Sequence, residues 1–207
     1  MSMSYSGPKR HKILADAILA EYNLVSAEFS AFQKSTKLNC YEGCGKCCFK
    51  PDIYCSPAEL LPMALELIER GEAEKFLDNV DSIKDGRCVF LNVTDEENFK
   101  GSCKVYSHRP LTCRTFGVSL RHGKNNSINV SVCRPLKEGR ALEFQQLVDN
   151  DFSPEDQSLP FIDTCKNRLT RIDPSLMEAE MPINDALRLI LSKMLLYSEF
   201  RSDDSNA

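Results

Sequence analysis

Tryptophan is absent from this chain of 207 residues, and histidine occurs only three times. Few histidines argue against a metal site built from several imidazole groups. No apolar run reaches the ~20 residues of a membrane-spanning helix. Residues 1–12 are polar and basic, and the apolar segment of a secretory signal peptide does not follow them. We therefore expect a cytoplasmic protein with no membrane contact.

Positive charge is not in excess either. The chain has 26 Lys and Arg residues against 30 Asp and Glu residues, which gives a formal net charge of −4, and it contains no basic block. Nucleic-acid-binding domains usually carry a basic stripe or patch that meets the phosphates. We therefore expect no nucleic acid partner, whereas an unknown protein partner is compatible with this surface charge.

Cysteine, by contrast, is abundant, with ten residues. Four of them lie in the segment Cys40-Tyr41-Glu42-Gly43-Cys44-Gly45-Lys46-Cys47-Cys48, whose glycines favour tight turns. Four more, more widely spaced, are Cys88, Cys103, Cys113 and Cys133. Thiolates are soft ligands that select zinc, copper(I) or iron–sulfur clusters. In a reducing compartment such a set indicates metal more often than disulfides, and a secreted disulfide-bonded protein is the alternative.

The spacing of the cysteines favours an iron–sulfur cluster over zinc. A zinc ribbon usually carries two separated C-x2-C pairs, and the second half of this set has no such pair. We expect the adjacent Cys47 and Cys48 to point in different directions, which suits two irons of a cluster better than one zinc ion. The eight thiols could fill one four-thiolate site or two, and zinc stays open as the alternative metal.

Other residues near the cysteines are interpreted without a ligand role. Cys55 and Cys165 are expected to be small buried hydrophobic residues, and His108 a packing or hydrogen-bonding group. Arg109 and Arg114 stand beside the second set of cysteines. Their guanidinium groups either stabilise the negative charge of a cluster, or are solvated or paired with Glu and Asp.

Three segments resemble the cysteine-cluster proteins of the YkgJ type, which carry a C-x2/3-C-x2-C-C motif and are described as zinc- or iron-chelating. The segments are residues 40–48, 88–91 and 103–116, the last with the element Tyr106-x2-Arg109-Pro110-x2-Cys113-Arg114. The resemblance covers residues 38–135 and implies as ligands Cys40, Cys44, Cys47, Cys48, Cys88, Cys103 and Cys113. We add Cys133, because Cys133-Arg134-Pro135 is similar in style to Cys113-Arg114.

Apolar periodicity predicts a mainly α fold with a small irregular or β cysteine-rich core that binds metal. Amphipathic helices are expected at 12–33, 57–70, 72–83, from 137 onward and at 185–200, and a hairpin at 116–120 and 127–133. The element Ser56-Pro57-Ala58-Glu59 is typical of a capping box at a helix start. Residues 153–156 are a further helix start or a turn.

This order divides the chain into four parts. Residues 1–37 would form an N-terminal tail and amphipathic helix, with residues 1–11 disordered, and residues 38–135 the cysteine-cluster metal-binding domain. Residues 136–200 would form a C-terminal helical part, and residues 201–207 a disordered tail.

The function that follows is that of a cytosolic metal-cluster-binding protein. An iron–sulfur cluster, [4Fe–4S] in the first instance, would serve electron transfer, sensing or cluster handling. Zinc as a structural metal, with function in partner binding, is the alternative. A related cysteine motif occurs in flagellin lysine methylases, so the resemblance also leaves a methylase-like or redox enzyme as a third hypothesis.

Overall fold

A computed structural model describes residues 8–156, 158–177 and 179–204. Helices dominate this part of the chain around short strands, which confirms the predicted mainly α fold with a small cysteine-rich core. The helices are α1 (Lys9–Ser35), α2 (Leu61–Glu69), α3 (Ala73–Ser82), α4 (Leu111–Arg114), α5 (Arg134–Gly139), α6 (Ala141–Val148), α7 (Ile162–Ile172) and α8 (Ile183–Asp204). The strands are β1 (Tyr54–Cys55), β2 (Leu91–Asp95), β3 (Lys100–Cys103), β4 (Val118–His122), β5 (Ile128–Val132) and β6 (Met181–Pro182).

The strands pair only two at a time, as antiparallel ribbons β1–β6, β2–β3 and β4–β5. A two-stranded ribbon is marginal in water by itself and needs packing partners. β4–β5 has them: Leu120, opposite Val130, is fully buried in a small core cluster with Phe161. The predicted hairpin at 116–120 and 127–133 is thereby confirmed, with its strands shifted slightly along the chain.

The main core joins the flanking helices to the cysteine-rich segment. One face of α1 buries Ile18, Tyr22, Val25 and Phe29 at three- and four-residue steps. This face lies against α2 and α7, while α2 and α3 lie against α8. Residues 88–90 belong to the same core cluster. The cysteine-rich segment thus packs directly on the helices, and the division at 37/38 and 135/136 stays a prediction.

The helices α1 and α8 both extend further than predicted. α1 begins at Lys9, so the prediction of disorder is wrong for residues 8–11, while residues 1–7 lie outside the described part. The reason is tertiary: His11 is buried, and its ring meets the ring of Tyr197 in α8 edge-on at 4.9 Å. The α8 backbone likewise continues to Asp204 into the predicted tail, whose residues 205–207 lie outside the described part.

The capping box at Ser56 is confirmed, with the Ser56 hydroxyl accepting from Glu59 N–H and the Glu59 carboxylate accepting from Ser56 N–H. The helix behind it is split, because a 3-10 turn, Pro57–Leu60, precedes α2. Pro62 explains the split: it has no N–H to donate to a preceding carbonyl, so the α-helical ladder starts only around it. The predicted helix at 72–83 is confirmed as α3.

The second half of the chain differs more from expectation. The single helix expected from residue 137 is two, α5 and α6, which meet at Arg140 with φ of −139°. α5 already starts at Arg134, with Pro135 in its first turn. Residues 153–156 form a turn instead of a helix start, and α7 begins only at Ile162. None of the helices in the described part is long and apolar enough to cross a bilayer.

Candidate metal centre

The cysteine loop, residues 40–48, is shaped by short-range backbone hydrogen bonds. Cys44 N–H donates to the carbonyl three residues earlier at 3.1 Å, and Cys48 N–H donates to Gly45 O at 2.7 Å. Gly43 has a φ of +68°, in the left-handed region that glycine enters without a steric penalty. The chain therefore turns twice within the loop, as its glycines predict.

The β2–β3 hairpin holds this loop in place. Gly45 N–H donates to Phe99 O at 2.9 Å, and Gly101 N–H donates to Gly43 O at 2.9 Å. A Cβ atom on Gly101 would lie 2.6 Å from Asn92 O, so a side chain does not fit between the hairpin strands at this point. The hairpin was not predicted from the sequence, because its strands are short and mostly polar and its stability comes from this contact with the loop.

Cys88 precedes β2 and Cys103 ends β3, so both lie at the open end of the same hairpin. Cys88 N–H donates to Cys48 O at 2.8 Å, so the backbone of the second cysteine set is bonded to that of the first. Cys103 is the last residue of β3 and pairs with Leu91 at the start of β2. Cysteines that lie 15 positions apart in sequence thus approach the loop together.

Asn184, in the first turn of α8, fixes the backbone on both sides of Cys88. Its Oδ1 accepts from Val89 N–H at 3.0 Å, and its Nδ2 donates to Arg87 O at 2.8 Å. The sequence gives no signal for this contact, because it joins residues 95 positions apart. Asn184 is therefore a positioning residue for Cys88 that sequence reasoning missed.

We expect Asn184→Ala to weaken binding of the metal that co-purifies with the protein by about 10- to 100-fold, the usual effect of losing a group that orients a metal ligand. The reason is that both peptide groups beside Cys88 lose their partner. Competition with a chelator measures the affinity. Ser192→Ala, on an exposed position of the same helix, is the control. Equal chelator resistance of the two variants would refute the role of Asn184.

Cys113 is positioned by a buried carboxylate. It lies in α4, which follows Pro110 and has no side-chain cap of its own. Glu59 caps α4 from outside the helix, because its Oε2 accepts from Leu111 N–H at 3.0 Å. The same Oε2 also accepts from the Tyr22 hydroxyl at 3.3 Å. Glu59 is 3 % exposed, and burial raises the pKa of its carboxyl group. The capping box residue thus has a second role that links α1, the 3-10 turn and α4.

These segments surround one cavity of about 570 Å³. Seven of the eight predicted ligands line its wall: Cys40, Cys44, Cys47, Cys48, Cys88, Cys103 and Cys113. All ten cysteines are free thiols. The structure therefore brings thiols from the loop, the hairpin and α4 to one place.

Cys133 lies next to this cavity instead of in its wall. Its N–H donates to Gly117 O at 2.8 Å, directly after β5, and it packs against the smaller core cluster. Cys133 is nevertheless near the loop, because its charge acts on Cys40. Burial, together with the negative charges of Cys44, Cys47 and Cys133, raises the pKa of Cys40 to about 11. Cys133 as the eighth ligand, and the complete ligand set, stay predictions.

Cys47 and Cys48 do not point in different directions, contrary to expectation. Their Sγ atoms lie 3.8 Å apart and share a hydrogen bond. The reason is the backbone turn at Gly45, which keeps neighbouring side chains on one side. Two thiolates on one tetrahedral zinc ion would also lie about 3.8 Å apart, given the ~2.3 Å Zn–S bond. Within the described residues, however, no three Cys, His, Asp or Glu side chains are placed to hold a single ion.

The thiols differ in how readily they ionise. Burial raises the pKa of Cys88 to about 12 and that of Cys113 well above its usual value. Cys47 is the exception, because the hydrogen bond from Cys48 stabilises its thiolate and lowers its pKa. Thiols must lose their protons to bind metal. Metal binding here would therefore release protons, and Cys47 is the first thiol to ionise.

In the metal-free, reduced protein we expect Cys47 to react with iodoacetamide at lower pH than the other thiols. A lowered pKa means that its thiolate persists to lower pH than that of an ordinary thiol, whose pKa is about 8.5. Peptide mass spectrometry after brief labelling between pH 5.5 and 9 measures this. Cys48→Ala should raise the midpoint for Cys47, and Cys165→Ala should not. A Cys47 midpoint equal to that of Cys40 would contradict the prediction.

The basic residues near the thiols have different tasks. Arg109 lies in the cavity wall, and its charge acts on Cys47, Cys103 and Cys113 in the direction that favours their thiolates. The buried Arg114 also lines the cavity, but its guanidinium group is bound by protein atoms. Neither arginine is paired with a surface acid in the described part of the chain.

Three side chains that were interpreted as non-ligands lie outside the cavity wall. His108 shares a hydrogen bond of 3.0 Å with the Ser107 hydroxyl. Cys55 and Cys165 are each 1 % exposed. Cys165 packs on the α7 side of the molecule, where its Sγ lies 3.7 Å from an Nη atom of Arg168.

The comparisons with known proteins agree with this geometry. Residues 39–134 match the sequence model of the CxxCxxCC family, whose description is "Putative zinc- or iron-chelating domain". Neither a curated protein nor a solved structure shows significant similarity to the chain. The match includes the cysteine loop, the β2–β3 hairpin, α4 and Cys133, and it leaves out α1 and α6–α8. Over residues 39–134 the chain is therefore similar to the CxxCxxCC family, described as a "Putative zinc- or iron-chelating domain".

Proposed function

We propose that the thiol-lined cavity holds an iron–sulfur cluster, [4Fe–4S] in the first instance, and that the protein acts in electron transfer, sensing or cluster handling. The observation that carries this proposal is the convergence of seven thiols on one cavity. The donor set is thiolate throughout, which is the usual ligation of such clusters. The family match over residues 39–134 supports chelation of zinc or iron, and the choice of a cluster is our proposal.

The distribution of the sulfurs supports a cluster over a single ion. Each thiolate of a [4Fe–4S] cluster binds a different iron, so the sulfurs stand around the cluster instead of meeting at one point. The described thiols follow this pattern, since they share a wall while no three of them are placed to hold one ion. Arg109 adds a positive charge beside Cys47, Cys103 and Cys113. Such a charge would stabilise an anionic cluster and raise its potential.

Zinc as a structural metal is the second candidate, and one contact favours it. The 3.8 Å between the Sγ atoms of Cys47 and Cys48 is a separation that one tetrahedral ion accepts. A zinc ion at this pair would stabilise the loop against the hairpin. The function would then lie in binding a protein partner through the flanking helices. With either metal we expect a cytoplasmic protein that binds neither nucleic acid nor membrane.

Anaerobic purification followed by metal, sulfide and spectral analysis of one sample tests the proposal. An iron–sulfur protein would be brown, with broad visible absorbance and about four irons and four sulfides per chain. A colourless protein with about one or two zinc ions per chain would overturn the cluster and establish the structural metal.

A further inference from the structure

Part of the cavity wall is not needed to hold a metal. Besides thiols it is lined by aromatic side chains and by Arg109. Tyr41, Tyr106 and Phe116 belong to the wall and are also 39 %, 65 % and 37 % exposed. These three rings therefore lie where the cavity opens to solvent, and a molecule entering it would pass along them.

Arg109 stands in this part of the wall with most of its hydrogen-bonding capacity unused. Its guanidinium carbon lies over the ring of Tyr106, 3.6 Å from the ring centre, and its Nε donates to Tyr106 O at 3.3 Å. Within the described residues, its two Nη groups donate no hydrogen bond and form no ion pair. Arg114 is the contrast, because both of its Nη groups are occupied by protein acceptors.

The geometry points to a binding site beside the metal for a small molecule with a planar apolar body and one carboxylate, which the two Nη groups of Arg109 would bind. This inference rests on the proposed function, because it adds a ligand class to the same cavity. A volume of about 570 Å³ lies within the usual range of small-molecule sites. A metal centre at the thiols occupies only part of that space.

The chemistry of the wall selects this ligand class. A guanidinium group with both Nη groups free matches a carboxylate with two parallel hydrogen bonds, and the contact with the Tyr106 ring and carbonyl holds it in the cavity wall. Aromatic rings favour a flat apolar body. A doubly charged phosphate fits less well, because Arg109 is the one unpaired cation among the described wall residues and Glu42 adds negative charge.

A competing explanation is that Arg109 only balances the charge of the thiolates. A balancing charge requires neither the fork geometry nor an aromatic opening, and a lysine would serve equally well. The two explanations therefore differ in what Arg109→Lys does: it would preserve charge balance and lose the paired hydrogen bonds.

Calorimetric titration of the anaerobically purified protein with benzoate, and with benzamide as its neutral counterpart, tests the inference. We expect benzoate to bind more tightly than benzamide. Arg109→Gln and Arg109→Lys should each weaken benzoate by roughly 10- to 100-fold, as expected for lost hydrogen bonds to a charged group. Arg188→Gln is the matched control, because Arg188 is paired with Asp81 on the surface of α8.

Three results would overturn the site. The first is equal binding of benzoate and benzamide, and the second is unchanged benzoate binding in both Arg109 variants. The third is full retention of the benzoate affinity in Arg109→Lys alone. Metal content and thermal unfolding of each variant are measured on the same samples. If Arg109→Gln loses metal or folds poorly, Arg109→Lys decides the result. A failure of the proposed function appears in the metal analysis of the unaltered protein, whereas a failure of this inference appears only in the titration.

Discussion

Replacing Cys47 with serine should remove the bound metal almost completely. The charge of Cys47 acts on every other predicted ligand whose pKa is raised, namely Cys40, Cys48, Cys88, Cys103, Cys113 and Cys133. Cys47 therefore lies within electrostatic reach of six of the seven other predicted ligands. Loss of a group that merely orients a ligand weakens metal binding by roughly 10- to 100-fold, so loss of this thiolate should exceed about 100-fold.

Metal content per chain and chelator competition measure this effect on protein purified without oxygen. The thermal unfolding temperature should fall as well, because the free energy of metal binding no longer stabilises the fold. Cys165→Ala is the matched control, since Cys165 is a buried thiol outside the cavity wall. A Cys47→Ser protein that retains stoichiometric metal would show that the site does not use the loop as proposed.

Replacing Arg114 with methionine should lower the free energy of unfolding by about 1.5–3 kcal/mol, because a hydrogen bond from a charged group contributes about that much and several partly buried ones are lost. Arg114 donates to Arg109 O at 2.7 Å, to Ser107 O at 2.5 Å and to the Ser26 hydroxyl at 2.6 Å. Its guanidinium carbon also lies 4.5 Å from the ring centre of Tyr22. Methionine keeps the apolar stem and loses all of these bonds.

Urea unfolding of the metal-free protein measures this difference, so that changes in metal binding do not enter. Arg134→Met is the control: the Arg134 side chain is 88 % exposed and pairs with Glu138 on the surface. An exposed pair of this kind contributes about 0–1 kcal/mol. Arg114→Lys should fall between the two variants, since an ammonium group can replace only some of the bonds. A loss for Arg114→Met no larger than that for Arg134→Met would contradict a stabilising role of the Arg114 hydrogen bonds.

The sequence predicts those parts of the fold that depend on local signals. The apolar stripe of α1 follows from residue spacing, and the helix start at Ser56 follows from a capping box that needs only four adjacent residues. The hairpin β4–β5 follows from the turn residues between its strands. In each case the deciding interactions lie within a few positions of one another.

The residues of the candidate site could be predicted from the sequence, whereas their arrangement in space could not. Cysteine spacing and the family resemblance name the seven thiols that the structure places around one cavity. The β2–β3 hairpin, Asn184 and the cap from Glu59 to Leu111 were not foreseen, because each joins segments far apart in sequence. The relation of Cys47 to Cys48 was predicted wrongly, since it depends on the backbone turn and not on adjacency alone.

The two hydrogen bonds of Asn184 to the backbone on either side of Cys88 have a consequence for the protein during its synthesis. On a ribosome working at roughly 5–20 residues per second, on the order of 10 s passes between the synthesis of Cys40 and that of Asn184. Throughout this interval the cysteines of the nascent chain lack the helix that orders one of them, and they are open to oxidation and to stray metal ions. The full affinity of the centre for its metal should therefore be reached only after α8 has left the ribosome.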